Sequence, residues 1–525
     1  MGSLFNKYWM ALVLVVLTFV VYGNSLQNQF VFDDHILIVN NNVVGSWQGL
    51  GKTFISNYNP SHDIDNTTNY YRPFVLLSLG IDKIIWGMRP FGFHLTNVLM
   101  MVFLTIPIYF FVFQVIPDKK IALLSALLYL VNPVHTETVA FISGRTDLQS
   151  TFFLITSLLF YYKWRVSSQK LYLVITLLSC LVALGSKESA LVFPVMLLGI
   201  EYLPARERIK WRKEYIYYFL IIVFYFVARY LVLFYNTSWQ KENIDLSSLG
   251  TVAYKNWKFL KLILWPVNLN TYYTDVFRAD LFGWVVSILC LALPVSLVLI
   301  SRKTDNIKPV AFASILFIWG SLPAMGLIRN SSGVEYGERF VFFSSLGISV
   351  LLAWIFVKLF KRIRQGVWKY ALVFLFISYC FFMGVKTIKQ NTVWRNDFTL
   401  FQEMAKTSPQ SYLAHFNLAN EYAKRRQADS AVVYYRKAMA IKPTNIGALN
   451  NLGVLFYMLG KYELAEAEYK KAVLLSPRSP VVYYNVGLCY QQKGLIQEAS
   501  SWYGMALEKD PYFQPAIDAL KGSGK

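Results

Sequence analysis

Long apolar runs recur over the first three quarters of the chain, and they constrain its fold more than any other feature. A membrane-spanning helix needs about 20 predominantly apolar residues. The first run, Tyr8–Tyr22, lacks a small-residue cleavage site, so we interpret it as a retained span rather than a removed signal peptide. The sequence predicts a polytopic membrane helix bundle of about 11 spans, in which ten further runs lie near 93–116, 121–137, 148–163, 171–186, 188–203, 215–235, 280–300, 309–328, 339–358 and 368–386.

The composition agrees with a chain that lies mostly in lipid. Hydrophobic residues make up 55% of the chain and charged residues 15%, whereas soluble proteins carry about 25% charged residues. This excludes a disordered chain, a coiled coil and a string of soluble domains. Two shorter apolar stretches, 73–88 and 257–268, predict helices that lie at the membrane interface. The four cysteines show no spacing typical of zinc, so we expect neither a disulfide framework nor a structural metal.

The formal net charge of +21 has two possible explanations, namely binding of nucleic acid or orientation of the chain in a membrane. In a soluble protein such a surplus would suggest nucleic acid. With a cytoplasmic N-terminus, however, the basic residues gather in the cytoplasmic connections, which is the positive-inside pattern. This orientation accounts for the charge without nucleic acid and places the C-terminus on the non-cytoplasmic side. The basic residues concerned are Lys119, Lys120, Lys163, Arg165, Lys170, Arg206, Arg208, Lys210, Arg212, Lys213, Arg302, Lys303, Lys308, Lys358, Lys361, Arg362, Arg364 and Lys369.

From about residue 391 the composition turns polar, and a period of 34 residues appears. Segments 412–445, 446–479 and 480–513 align without gaps, each with alanines, aromatics and a closing proline at the same positions. This is the tetratricopeptide pattern. We predict a half repeat at 393–409 and a capping helix at 514–520. The fold class is therefore all-α: a membrane domain over 1–390 and a repeat solenoid over 391–525. Such solenoids bind peptides or proteins, so substrate recruitment and assembly of a complex both stay open.

Ionisable side chains near a bilayer are costly and mark function, and here they gather in the predicted outer loops. Asp33 and Asp34 follow the first span between apolar residues. Two adjacent acids repel each other, which raises one pKa and suits that group to general-base catalysis. The same pair is also suited to a hard divalent cation, or to capping a short helix. The remaining candidates in the outer loops have two possible roles. They are suited either to binding the phosphate or sugar of a donor or to a structural ion-pair network. They are Arg72, His135, Glu137, Arg145, Asp147, Lys187, Glu188, Glu338 and Arg339.

Acids and cations at one membrane face suit the transfer of a group from a phosphate. Cations hold a lipid-linked phosphate, partly through bidentate arginine contacts. A carboxylate deprotonates the acceptor, and the cations stabilise the charge that builds on the departing phosphate.

The order of the outer motifs resembles that of a known family. The motifs are the acidic pair, Tyr-Arg-Pro at 71–73, Asn-Pro-Val-His-Thr-Glu at 132–137, Gly-Arg-Thr-Asp at 144–147, Ser-Lys-Glu-Ser at 186–189 and Gly-Glu-Arg-Phe at 337–340, followed by the repeats. Together they resemble the transmembrane and tetratricopeptide-repeat protein O-mannosyltransferases, and their bacterial relatives, of the GT-C glycosyltransferase superfamily. The resemblance implies a GT-C-like bundle and an inverting transfer from a polyprenyl- or dolichyl-phosphate sugar to a protein hydroxyl. It implies that Asp33 and Asp34 are the catalytic acids and that the repeats receive the acceptor protein. It names no firm cofactor, and a divalent cation stays open.

Two other classes of function stay open beside it. An oligosaccharide ligase or polymerase would rely on a large late outer loop rich in arginine and histidine, and the late outer loops here are modest. A non-enzymatic membrane scaffold would use the repeats to assemble a complex and would need no acidic pair. The short array and the lack of a retention signal favour a bacterial host, in which the outer compartment is the periplasm. In a eukaryote it is the lumen of the endoplasmic reticulum.

Overall fold

The computed structural model describes residues 2–41, 43–58, 70–203, 213–236, 246–267, 269–271, 273, 280–325, 336–364 and 366–523. Every regular element in these ranges is a helix, and they contain no strand, which confirms the predicted all-α fold class. The chain divides into two compact units, Met1–Thr399 and Leu400–Lys525.

The first unit carries the long apolar helices. Its described α-helices are α1 (Gly2–Tyr22), α2 (Trp47–Lys52), α3 (Pro73–Trp86), α4 (Pro90–Val115), α5 (Lys119–Val131), α6 (Thr136–Ala140), α7 (Arg145–Ser167), α8 (Lys170–Leu184), α9 (Phe193–Tyr202), α10 (Tyr215–Asn236), α11 (Val252–Leu264), α12 (Leu281–Ser301), α13 (Lys308–Ser314), α14 (Ser345–Arg362) and α15 (Val367–Asn391).

Each predicted span overlaps one of these helices, and the chain is a multi-pass membrane protein. Within the described ranges, five helices are long and apolar enough to cross a membrane: Trp9–Gln27, Pro90–Val115, Tyr215–Phe234, Leu281–Ser301 and Val367–Arg395. The other predicted spans fall on helices that are shorter, such as α9, or that carry more charge, such as α7. The number of spans therefore stays a prediction, as does the interfacial position of α3 and α11.

Helix α7 connects two polar ends of the bundle. It packs against α4 and α8, and its 23 residues give it a length of about 35 Å. Its first turn carries Arg145 and Asp147, and its last turn carries Arg165, which pairs with Glu201 of α9. The predicted outer-loop motifs and a predicted cytoplasmic connection thus lie at opposite ends of one helix, and the end that carries the motifs is called the outer end below.

The predicted cytoplasmic connections meet at the second of these ends. Lys361, in the last turn of α14, has its Nζ 2.8 Å from Oδ2 of Asp118, which caps α5. Helix ends also surround a cavity of about 420 Å³ that is lined by Gln114, Tyr162 and Lys308. Four of the basic residues, Arg206, Arg208, Lys210 and Arg212, lie outside the described residues.

The second unit is a stack of helix pairs, which confirms the predicted tetratricopeptide fold. In each pair a small residue on the first helix faces a buried tyrosine on the second. A Cβ atom on Gly453 would lie 2.5 Å from Tyr469, and one on Gly487 would lie 2.5 Å from Tyr503. These approaches explain why the period demands small residues there. The helices are α16 (Asp397–Thr407), which begins in the first unit, then α17 (Tyr412–Lys424), α18 (Ala428–Ile441), α19 (Ile446–Met458), α20 (Tyr462–Leu475), α21 (Pro480–Gln492), α22 (Ile496–Lys509) and α23 (Gln514–Ser523).

Candidate active site

The acidic pair lies in a tight turn after α1. The turn is closed by hydrogen bonds from the Asp34 amide to the Val31 carbonyl (2.9 Å) and from the His35 amide to the Phe32 carbonyl (3.2 Å). Phe32 has φ of +50°, a left-handed conformation that bulky residues rarely adopt. The surrounding contacts must therefore hold this turn in place.

Asp34 is fully buried and is held by three hydrogen bonds. Its Oδ2 accepts from the Val31 amide at 3.1 Å. Its Oδ1 accepts from the Ser143 amide at 2.9 Å and from the Ser143 hydroxyl at 2.5 Å. Burial raises the pKa of Asp34 to about 7, and the hydrogen bonds from Ser143 and Val31 oppose that rise. Asp34 thus ties the first outer loop to the segment between α6 and α7, and both of its oxygens are engaged.

Asp33 is the member of the pair with a carboxylate that stays available. It is partly exposed, and within the described part of the chain its carboxylate has no hydrogen bond and no ion pair. Burial raises the pKa of Asp33 above the ordinary carboxyl value, and the positive charge of Arg339 opposes this rise. Asp33 therefore has the properties of a general base, namely an available oxygen and a raised pKa.

Arg72 is held between an acid and two aromatic rings. Its Nε and Nη2 donate to Oε2 of Glu188 at 3.2 and 2.9 Å. Its guanidinium lies 5.1 Å from the ring centre of Tyr58 and 4.2 Å from that of Tyr70. Arg72 immediately precedes α3, and Glu188 begins the turn after α8, so this pair joins two segments of the outer end.

Lys187 and Asp147 form a second ion pair beside the first. The Lys187 Nζ lies 2.6 Å from both carboxylate oxygens of Asp147, in the first turn of α7. Burial lowers the pKa of Lys187, and the nearby Arg72 and Arg339 lower it further, while Asp147 opposes the change. Lys187 therefore lies within the electrostatic reach of both arginines.

Arg339 is more accessible than the other two cations considered above, Arg72 and Lys187. Its side chain is 35% exposed, whereas those of Arg72 and Lys187 are each 12% exposed. It pairs with Glu137, with 3.8 Å between Arg339 Nε and Glu137 Oε1, and its backbone amide also donates to Glu137 at 3.2 Å. Because that ion pair is long, the guanidinium retains donors for an external anion.

These charged groups act on one another as a single outer cluster. Burial lowers the pKa of Arg339, but the negative charges of Glu137, Asp147 and Asp33 oppose this effect, and the net shift of the pKa is upward. The outer cluster is defined here as Asp33, Arg72, Glu137, Asp147, Lys187, Glu188 and Arg339.

Three of the predicted site residues are buried instead of lying in the cluster. They are His135, Arg145 and Glu338, and each residue is no more than 1% exposed. Arg145 Nη1 lies 2.6 Å from Asp82 Oδ2, and its Nε donates to Asn97 at 2.7 Å. These contacts join α7 to α3 and α4, so the Arg145 guanidinium has no surface for a donor phosphate.

His135 and Glu338 serve packing in the same way. The His135 Nε2 lies 2.8 Å from the Ser345 hydroxyl, and its ring packs against Tyr129 and Phe342. Glu338 Oε1 accepts from the Asn270 amide at 2.8 Å. Both side chains thus connect segments at the outer end, and neither is exposed.

The structure also brings in residues that the sequence did not single out as site residues. Ser143 holds Asp34, Tyr58 covers Arg72, and Asp397 bonds to both Phe32 and His35. Asp397 lies 362 residues from His35 in sequence, so no local pattern indicates it. Ser143 immediately precedes the Gly-Arg-Thr-Asp motif at 144–147, and only its contact with Asp34 in the fold shows its role.

Metal binding is not indicated by the geometry of the described residues, which contain no group of three or more histidine, cysteine, aspartate or glutamate side chains suited to a metal ion. A need for a divalent cation stays open.

Comparison with known families agrees with both parts of the chain. Residues 74–232 match the family described as dolichyl-phosphate-mannose-protein mannosyltransferase. Residues 412–445, 434–467 and 455–494 match tetratricopeptide repeat families. The first match includes Glu137, Asp147, Lys187 and Glu188 of the outer cluster. The second group covers the first two repeats that the 34-residue period predicted and the start of the third, up to residue 494.

Several curated proteins are similar over most of this chain. Protein O-mannosyl-transferase F38B6.6 of Caenorhabditis elegans is 27% identical over 82% of this chain and 63% of its own length. Human protein O-mannosyl-transferases TMTC1 and TMTC4 are 24% and 22% identical, each over 83% of this chain, and over 55% and 66% of their own lengths. The resemblance drawn from the motifs is thereby confirmed. The chain spans roughly 55 to 66% of the length of these relatives.

A solved structure, the first tetratricopeptide domain of Spaghetti (RPAP3) bound to an HSP90 peptide, is 26% identical over 22% of this chain and 91% of that chain, with a TM-score of 0.21.

Proposed function

We propose that this chain, which joins a segment of the mannosyltransferase family to tetratricopeptide repeats, transfers a sugar from a polyprenyl- or dolichyl-phosphate to a protein hydroxyl. The observation that carries the proposal is the available carboxylate of Asp33 in the electrostatic field of the partly exposed Arg339. The similarity to protein O-mannosyl-transferases supports mannose as the sugar.

The outer cluster supplies each part of an inverting transfer. Asp33 accepts the proton of the acceptor hydroxyl, whose oxygen then forms a bond to the anomeric carbon of the sugar. The bond from that carbon to the phosphate oxygen breaks, and the electron pair leaves with the lipid phosphate. Because the acceptor attacks on the face opposite the phosphate, the configuration at the anomeric carbon inverts.

Arg339 binds the donor phosphate and stabilises the charge that builds on it as it departs. Lys187 contributes a second positive charge to the field at the phosphate without binding it directly, since its ammonium is engaged with Asp147. Arg72 is engaged with Glu188, and it orders the outer end around the donor. Asp34 fixes the turn on which Asp33 stands, and the buried His135, Arg145 and Glu338 hold the helix ends beneath it.

The reaction takes place on the non-cytoplasmic face in this proposal. The positive-inside pattern assigns the basic connections to the cytoplasm, and helix α7 separates Arg165 from the outer cluster by the thickness of a hydrocarbon core. The host determines whether this face meets the periplasm or the lumen of the endoplasmic reticulum.

A row of asparagines in the repeats suits an acceptor polypeptide. Asn451 Nδ2 donates to Asn420 at 3.0 Å, and Asn485 Nδ2 donates to Asn450 at 2.7 Å. Side-chain amides carry donors and acceptors that match a peptide backbone whatever its sequence. Val454, which is 37% exposed, lies on the same helix face as Asn450 and Asn451. The acceptor in this proposal is therefore an extended segment that the repeats bind through its backbone.

The test is sugar transfer by the full chain in liposomes, with a panel of polyprenyl-phosphate sugars, serine- and threonine-containing acceptor polypeptides, and samples with and without EDTA. We expect Asp33→Asn to lower transfer by about 10²-fold or more, while Glu403→Gln, a change to a partly exposed acid of α16 that pairs with Lys406, leaves it unchanged. Full activity of Asp33→Asn would remove Asp33 as the base. Absence of transfer by the wild type from every donor would leave the scaffold function.

A further inference from the structure

The carboxylate of Asp397 bonds to both sides of the acidic pair. Its Oδ1 accepts from the Phe32 amide at 2.8 Å, and its Oδ2 lies 2.8 Å from the His35 Nε2. Asp33 and Asp34 are the two residues enclosed between these contacts. The Asp397 side chain is 15% exposed and the His35 side chain 43%, so the contact between them is more shielded on the Asp397 side.

The segment that leads to Asp397 holds the same loop by other bonds. The Gln29 amide donates to the Arg395 carbonyl at 2.9 Å, and the Asn28 side chain donates to the Asn391 carbonyl at 3.2 Å. Asp397 therefore has a fixed position relative to the loop, because the chain just before it is bonded to the loop at two further points.

The same segment also supports the partner of Asp34. Trp394 is buried and stacks on Phe141, with ring centres 4.8 Å apart and planes inclined by 18°. Phe141 lies two residues before Ser143, which bonds to Asp34. Residues 391–397 thus contact both segments that form the acidic turn.

The conformation of Phe32 shows why such support is needed. Its φ of +50° is unfavourable for a bulky side chain and persists only where the surroundings hold it. The amide that Asp397 accepts from is that of Phe32 itself. Loss of this bond would let the residue return to an ordinary conformation, which would rotate the backbone directly before Asp33.

We propose that Asp397 is a positioning residue for the transfer reaction, which clamps the strained turn so that the Asp33 carboxylate keeps its position. This inference rests on the proposed function, in which Asp33 is the base. Asp397 is the first residue of α16, so the helix that leads into the repeat array also supplies the clamp.

The clamp makes distinct predictions for two variants. Asp397→Ala removes both contacts, and we expect kcat to fall by about 10²-fold because a base displaced by about 1 Å loses that much. The KM values of donor and acceptor should change little, because Asp397 touches neither. Asp397→Asn retains an oxygen for the Phe32 amide and an amide group facing His35, so it should restore the larger part of kcat.

The pH profile separates positioning from a loss of folded protein. Release of the turn exposes Asp33 to water, which lowers its raised pKa, so the acidic limb of the profile should move to lower pH in Asp397→Ala. A smaller amount of folded protein would lower the rate equally at every pH. Asp429→Ala is the matched control, since Asp429 is an exposed acid in the first turn of α18.

Hydrogen exchange tests the clamp without reference to activity. In the full chain in detergent, Asp397→Ala should raise exchange at the Phe32 amide about tenfold or more, and His35→Ala, which removes one contact only, should raise it less. Unchanged exchange in Asp397→Ala would overturn the clamp, and raised exchange with unchanged kcat would overturn its positioning role. If the wild type transfers no sugar, the proposed function fails, and the exchange result still decides whether the clamp exists.

Discussion

Two adjacent residues of one type have different roles here because their surroundings differ. Asp34 is fully buried and accepts three hydrogen bonds, whereas Asp33 is partly exposed and has no hydrogen bond among the described residues. The first environment suits an acid that fixes a turn, and the second suits an acid that exchanges a proton with a substrate. Sequence reasoning treated the pair as equivalent, because the backbone turn that separates their environments is not visible in the residue order.

The acidic limb of the pH profile of kcat/KM should report the electrostatic field around Asp33. Asp33 accepts a proton only when ionised, so kcat/KM should rise with pH through its raised pKa. The positive charge of Arg339 lowers that pKa, so Arg339→Gln should move the limb to higher pH by about one unit. Arg339→Lys keeps the charge and should leave the limb in place. A limb at the same pH in Arg339→Gln and the wild type would contradict the assignment of Asp33.

Burial should make the Arg145–Asp82 pair far more costly to break than an exposed pair. Arg145→Met leaves Asp82 charged and buried, which should lower the free energy of unfolding by about 3–5 kcal/mol. Lys308→Met removes the partner of Asp305, which is 74% exposed, and should cost less than about 1 kcal/mol. Denaturant unfolding of the full chain in detergent measures both. Equal losses would show that Arg145 does not join α7 to α3.

At the scale of elements, the repeats were predicted more completely than the site, and the range of the contacts explains the difference. The packing of Gly487 on Tyr503 recurs every 34 residues, so the period reveals it. The bond from Ser143 to Asp34 joins residues 109 apart and occurs once. A sequence shows repeated local contacts directly, whereas a single distant contact is visible only after the helices are placed.

Close approach within a repeat should make one glycine irreplaceable and another dispensable. Gly487→Ala places a methyl group 2.5 Å from Tyr503, which should destabilise the repeats by about 1–3 kcal/mol. Gly504 lies within α22 with nothing near its Cβ position, so Gly504→Ala should stabilise that helix by about 0.5–1 kcal/mol. Hydrogen exchange of α21 and α22 in the full chain measures both effects. Increased protection in Gly487→Ala would contradict the described packing.

At the scale of the whole molecule, the sequence predicted a division between lipid-embedded and polar parts, because hydropathy changes over long stretches. It also predicted which loops share a face, since charge placement follows the positive-inside pattern. It did not separate the outer cluster from the residues buried beneath it. His135 and Arg145 lie in the same motifs as Glu137 and Asp147. Short turns such as Pro133–His135 decide which side chain of a motif is buried and which is accessible, and such turns carry no strong periodic signal in the sequence.

The orientation of the chain leads to a prediction that labelling can test. Arg364 lies in the exposed connection between α14 and α15, and Lys521 is exposed on α23. In sealed vesicles with the cytoplasmic face outward, an impermeant maleimide should label Arg364→Cys at once and Lys521→Cys only after permeabilisation. The unmodified chain is the control, since Cys180 and Cys489 are buried and Cys290 and Cys380 lie in apolar helices. Immediate labelling of both variants would place the repeats in the cytoplasm. A catalytic cluster on the opposite face would then be unable to receive an acceptor from them, so this result would contradict both the topology and the proposed route of the acceptor.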